Sequence, residues 1–296
     1  MKISKRVALV ACVAFGATAP AFANHSWGGY HWARSTSTLP LTVNKAINAG
    51  VWGTYVDTAI NTDWNNRSVL RLTGRNAPAG TSTKKCSPIS GQLLVCSNTY
   101  GQRGWLGIAT IWADGSSHIT AATTKLNDSY FNSAAYNKPA WRRLVACQEI
   151  GHDFGLAHQD ETFGNANLGS CMDYTNAPAG GVLSGFNYGA SNEHPNSHDT
   201  AQLNTIYNHT DSYSTNSAST NFAIRQPGRR SPPTPPGLTD PGDSEAEWGT
   251  AVHHDGKGRP DQFVRPLANG GQMITHVFWA LEVKGTKAHE DDGHTH

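Results

Sequence analysis

Gln148, Glu149, His152 and His158 fall within one stretch, CQEIGHDFGLAH at 147–158, and their types and spacing could hold and use a metal ion. Residues four apart on a helix share a face, so Gln148 and His152 point the same way with Glu149 beside them. Gly155 can stop the helix three residues after His152, letting the chain turn back and carry His158 to the same point. Zinc requires such convergence, with imidazole nitrogens about 2.0–2.1 Å from the ion and one position open for water. Glu149, beside the ligands rather than among them, is placed to take a proton from that water as it attacks a carbonyl. Two histidines and a glutamate at a helix end are, without further context, ordinary polar surface.

The context is specific. With histidine at 148 the stretch would read H-E-x-x-H-x-x-G-x-x-H. Glu149, His152, Gly155 and His158 fit that pattern, and Gln148 departs from it. Further on, SCMDY places Met172 in a turn, with Tyr174 two residues later. On these residues, over about positions 39–211, the chain resembles the metzincin zinc metallopeptidases, among them the matrixin, astacin and serralysin types. The resemblance implies an α/β (α+β) fold of zincin or metzincin kind, a twisted mixed sheet with an active-site helix, a methionine turn and a C-terminal helix. It implies Zn2+ as cofactor, a protein or peptide as substrate, and Met172 beneath the metal. Tyr174 would then bind the metal or stabilise the oxyanion.

Gln148 leaves three arrangements open. Its amide oxygen can ligate, although a neutral amide is a weaker donor to zinc than an imidazole. His152 and His158 can hold the ion with another group, Asp160 being the nearest candidate. Or the metal is lost. The joint presence of Glu149, His152, His158 and Tyr174 favours a metal site. The leading function is therefore an exported zinc-dependent endopeptidase, and the alternative is a catalytically inactive metzincin fold that binds peptide or polysaccharide. A third reading gives the main activity, such as adhesion, to the C-terminal end. Asp153 is expected on the helix surface and His198-Asp199 in a helix cap.

The elements around this stretch must position it. The 296 residues carry 23 Lys+Arg against 22 Asp+Glu, which supplies no basic surface for nucleic acid or anionic membranes. Lys2, Lys5 and Arg6, then an apolar run ending Ala21-Phe22-Ala23, read as a signal peptide over 1–23, hence a secreted or periplasmic chain. Its removal leaves Cys86, Cys96, Cys147 and Cys171 in an oxidising compartment. Four cysteines allow three pairings. Cys86 and Cys96 flank an expected hairpin with its turn at Ser90-Gly91, which leaves Cys147 to pair with Cys171. A peptidase-like domain over 24–213, a Ser/Thr/Pro-rich linker over 214–243, and a β-hairpin extension with a His-rich end over 244–296 are expected. The hairpin turns at Asn269-Gly270-Gly271, and 244–296 is short for an independent domain, so packing on the main domain is the alternative to a separate unit. A monomer is expected.

Periodicity predicts strands over 39–43, 68–73, 93–100 and 104–114, the last central because it is apolar throughout. A strand over 116–127 alternates and is expected at the edge. Helices are expected over 50–65, 139–155 (Pro139 in its first turn) and 198–211. Trp27, Trp32, Trp105 and Trp112 are expected as core or shell aromatics.

Overall fold

The structure, a computed structural model, describes residues 25–216, 237–268 and 270–281. The signal segment, most of the linker, Asn269 in the expected hairpin turn and the His-rich end lie outside the described residues. The chain forms a mixed α/β architecture around one nine-stranded sheet with few helices. Its strands are β1 (His31–Trp32), β2 (Leu39–Ala46), β3 (Leu70–Asn76), β4 (Leu93–Asn98), β5 (Trp105–Ala113), β6 (His118–Asn127), β9 (Thr250–His254), β10 (Pro260–Pro266) and β11 (Gln272–Trp279). The order is β3-β2-β4-β6-β5-β11-β10-β9, with β1 pairing the start of β6. A small separate ribbon joins β7 (Val182–Leu183) to β8 (Phe186–Asn187). The helices are α1 (Ala49–Thr58), α2 (Asp128–Phe131), α3 (Pro139–His152), α4 (Ser197–Ile206) and α5 (Glu245–Trp248).

Helix α3 carries the chemical motif through the core. Pro139 sits at its N-terminus, where a missing N–H costs nothing. Gly155, at φ +93°, ends it, and a Cβ there would collide with the Tyr30 carbonyl. Gly151 is equally constrained, since a Cβ would lie 2.6 Å from Met172 Sδ and 2.7 Å from Trp64. Trp64 ends a π-helical turn, Ala59–Trp64, that continues α1, and its Nε1 donates to the Cys147 carbonyl at 2.9 Å. The Cys147–Cys171 disulfide ties α3 to the methionine-bearing turn, and Cys86–Cys96 closes a loop beside β4.

Three expectations change. Strand β6 is interior, between β4 and β5, and is buried from Ile119 to Asn127. Its alternation suggested an edge, but Thr120 donates to the Trp112 carbonyl and Thr124 to Asp153 Oδ2, so these two hydroxyls are satisfied inside. The cysteines Cys86 and Cys96 do not flank a hairpin. Strand β4 runs parallel to both β2 and β6, and the Cys86 loop folds back until the two Cα atoms are 5.9 Å apart. The last helix stops at Ile206, and residues 208–216 run back toward β1.

The C-terminal strands extend the same sheet. Strand β11 pairs antiparallel with the whole of β5, His276 opposite Ala109, and β10 and β9 follow outward. Successive strand residues face opposite ways. Ile274 and Phe278 thus join the core that contains α3, while Val277 packs with Trp105, Ile108, Trp248 and Phe263 on the other face. The segment leading into α5 crosses that second face, where buried Lys125 donates to the Gly242 carbonyl and to Asp243 Oδ1. Trp27, Trp32, Trp105 and Trp112 are all buried.

Candidate metal centre

The structure brings three imidazoles together, two from the motif and one from the C-terminal strand. Ligand-type nitrogens of His152, His158 and His276 all lie within 4.8 Å of one another. His152 Nε2 and His158 Nε2 are 3.2 Å apart. Two nitrogens bound tetrahedrally to zinc are separated by roughly 3.3–3.4 Å, so this edge is already at metal-site length. The His276 ring stacks on His152 at 3.9 Å and meets His158 edge-on at 4.4 Å.

Groups behind two of these rings fix their orientation. His152 Nδ1 donates to the Leu156 carbonyl at 2.7 Å, so its lone pair is on Nε2. His158 Nδ1 faces Glu161 Oε1 at 3.2 Å, which leaves its Nε2 turned to His152. His276 Nε2 lies 3.9 Å from Asp261 Oδ2, while its Nδ1 has no hydrogen-bond partner. Burial pushes the His152 pKa down to about 4. It also pushes His158 and His276 well below the usual value, and the neighbouring imidazoles add to the shift. All three are neutral donors at neutral pH, the form that binds metal.

Glu149 lies against β5. A Cβ on Gly107 would come within 2.9 Å of its Oε1 and 2.7 Å of Val145 Cγ1, so glycine is needed at that crossing. The carboxylate is fully buried, and neither oxygen accepts a well-formed hydrogen bond. Burial, then the nearby Asp153 carboxylate, raises its pKa well above normal, with the Ala109 amide opposing. A cation beside it favours the ionised form again. Gln148 is fully buried too. Its Nε2 donates to the Cys171 carbonyl at 2.7 Å, and its Oε1 is left without a partner. Buried polar atoms without partners are costly, and Gln148 Oε1 and the two Glu149 oxygens are such atoms on the helix that carries His152. Three neutral imidazoles within 4.8 Å of one another, one pair at metal-site spacing, are a donor set that fits a zinc ion.

Tyr174 packs its ring 4.0 Å from His158 and 4.7 Å from Phe163, and its hydroxyl donates to Asp261 Oδ2 at 3.3 Å. Met172 lies beneath α3, against Gly151. Asp160 does not reach the cluster. Its carboxylate accepts from the Thr162 amide and Asn165 Nδ2, holding the loop after His158. Asp153 is not surface: it is fully buried and accepts from Thr124, because β6 covers that side of α3. Asn196 caps α4 with Asp199 in a reciprocal capping box.

His276 is the residue that sequence reasoning missed. Its signal was present in Met-Ile-Thr-His-Val-Phe-Trp, where a histidine occupies the same alternating face as Ile274 and Phe278.

No protein-family model matches the chain, and no curated protein does. Among solved structures it is similar to high choriolytic enzyme 1, a hatching-enzyme zinc protease from the medaka fish Oryzias latipes. The match has 12% identity and a TM-score of 0.34, and covers 61% of this chain and 95% of that one.

Proposed function

We propose that the chain is an exported zinc-dependent peptidase whose metal is held by His152, His158 and His276, the last replacing the histidine absent at 148. The observation that carries this reading is the buried three-histidine cluster beside an unpartnered glutamate. Bound zinc supplies Lewis acidity toward a carbonyl and makes a nearby water more acidic. Glu149 accepts the proton of that water and returns it to the leaving amine. Tyr174, a phenol kept protonated by burial, donates toward the developing oxyanion once its hydroxyl leaves Asp261. Gln148 is held by the Cys171 carbonyl and offers its free Oε1 as a further, weaker donor. Two disulfides support export, and among the described residues no helix is long and apolar enough to cross a membrane.

One observation favours a second reading. Glu149, His152 and Gln148 are completely buried, and His158, Tyr174 and His276 almost so. A peptide reaches them only if β11 or the loops after His158 move. A catalytically inactive, metal-stabilised binding fold needs no such movement. Zinc analysis with peptide hydrolysis in the presence and absence of chelator separates the two, applied to the full chain and to a chain ending near Asn216. The proposed peptidase holds zinc and cleaves peptides only in the full chain, with both lost on truncation. Zinc without cleavage in either chain supports the binding fold. Cleavage that rises on truncation assigns His276 to blocking the site rather than to building it.

A further inference from the structure

A second histidine cluster lies where the starts of β1 and β6 pair. His31 in β1, His118 at the start of β6, and His209 and Asp211 after α4 meet around one carboxylate oxygen. Nε2 of His31, His118 and His209 lies 3.6, 3.4 and 3.4 Å from Asp211 Oδ1. The Nε2 atoms of His31 and His209 are 3.2 Å apart. His31, His209 and Asp211 have their ligand atoms all within 4.8 Å of one another.

The protons are on the far sides of these rings. His31 Nδ1 donates to the Gly29 carbonyl at 2.9 Å. His209 Nδ1 faces Asn208 Oδ1 at 3.1 Å. The Tyr213 hydroxyl donates to Asp114 Oδ2 at 2.7 Å, so its oxygen accepts from His118 Nδ1. Each ring in its neutral form therefore turns an Nε2 lone pair toward Asp211 Oδ1. The other carboxylate oxygen of Asp211 is fixed by the Arg34 amide at 2.9 Å. Three lone pairs and an anionic oxygen facing one another need positive charge between them, either a proton on His118, whose pKa Asp114 and Asp211 raise, or a cation. The contacts behind the rings are of the kind that orient metal ligands.

We propose that His31, His209 and Asp211, with His118 as fourth donor, bind a divalent transition metal of the zinc class, at a site separate from His152, His158 and His276. Three imidazoles and one carboxylate suit zinc, and calcium or magnesium demand more oxygen. Tetrahedral zinc with these ligands has edges of roughly 3.3–3.5 Å; the 3.2, 3.4 and 3.6 Å separations among His31, His209 and Asp211 bracket that range, and His118 stands outside that close group, 3.4 Å from Asp211 Oδ1. The His209 side chain is 47% exposed, which gives the ion a path from solvent. The bound ion staples the N-terminal strand, the start of β6 and the chain leaving α4, three segments far apart in sequence. Its role is structural, since the carboxylate offsets part of its charge and no unpartnered base stands in the set.

The test is metal analysis of the full-length protein, stripped by chelator and reloaded with Zn2+ alone. Wild type should hold two equivalents, while His209→Ala and Asp211→Asn should each hold one and melt at lower temperature. His209 is the half-exposed member, so its replacement decides the matter even where Asp211→Asn fails to fold. His152→Ala should keep the equivalent bound here, and Co2+ loaded into that variant should show tetrahedral ligand-field absorption that Asp211→Asn then removes. Equal metal content in wild type and His209→Ala overturns the proposal. A single equivalent lost with His152→Ala and not with His209→Ala also overturns it and leaves the peptidase reading standing. The opposite pattern upholds this site and removes the metal from the other.

Discussion

The two histidine clusters place the same side chain in different settings. Around His152, His158 and His276 the rings are buried, a backbone carbonyl stands behind His152, and the Glu161 and Asp261 carboxylates lie on the His158 side. Around His31, His118 and His209 a carboxylate is at the centre and one ring faces solvent. A divalent ion held by three neutral imidazoles keeps its full charge in a low-dielectric site, where it polarises whatever binds next. With an added carboxylate the net charge falls and the ion is a better staple than catalyst. The proposed peptidase reading assigns the buried Glu149 to the first cluster and no such base to the second, so it puts chemistry in one and stability in the other.

Glu149→Gln tests that assignment with the largest expected effect. Peptide hydrolysis should fall about 10²–10⁴-fold, as loss of a general base does, while both metals stay bound. Full activity in this variant removes Glu149 from the chemistry. His276→Ala comes next. Zinc affinity at the first cluster should drop about 10²–10³-fold, one ligand's share of the ~10–16 kcal/mol of a four-ligand zinc site. The second cluster should be unaffected. Adding Gln148→His to that variant should recover affinity, because 148 and 152 share a helix face. Competition titration with a zinc-binding dye measures all three proteins, and unchanged affinity in His276→Ala breaks the three-histidine assignment.

A smaller effect is expected from Gly107→Ala. The new methyl meets Val145 and Glu149, and overpacking of this kind costs about 1–3 kcal/mol. Urea unfolding should show that loss, together with reduced hydrolysis, and no change of metal at the second cluster. The smallest effect concerns His25, which stacks on His198 and joins neither cluster. Burial, then His198, lowers its pKa from 6.5 to about 4. The unfolded chain thus binds the proton more tightly, so this contribution is complete above pH 6.5 and is lost as pH falls toward 4. The loss should reach about 1–2 kcal/mol by pH 5. It should be absent in His25→Gln, as urea midpoints at pH 7 and 5 would show. An equal acid loss in both proteins assigns the pH dependence to the clusters instead.

The sequence by itself determined the local parts. The spacing Glu149, His152, Gly155, His158 is a statement about one helix and its stop. A 3.6-residue period and a glycine at positive φ suffice to make His152 and His158 converge. Apolar runs located β2, β3, β4 and β5, and Pro139 located α3. Alternation around 274–278 marked a strand with a buried face, yet it did not say what that face would meet. Only the tertiary structure decided that β11 lies along β5, which brings the His276 imidazole to His152 and His158 from more than a hundred residues away. Pairing partners in a sheet depend on long-range contacts that no local period encodes, and so β6 proved interior rather than marginal. The same reason hides His31, His118, His209 and Asp211 in the sequence. Each is an ordinary polar residue until β1, β6 and the chain after α4 are brought to one point, and only there do their lone pairs face each other.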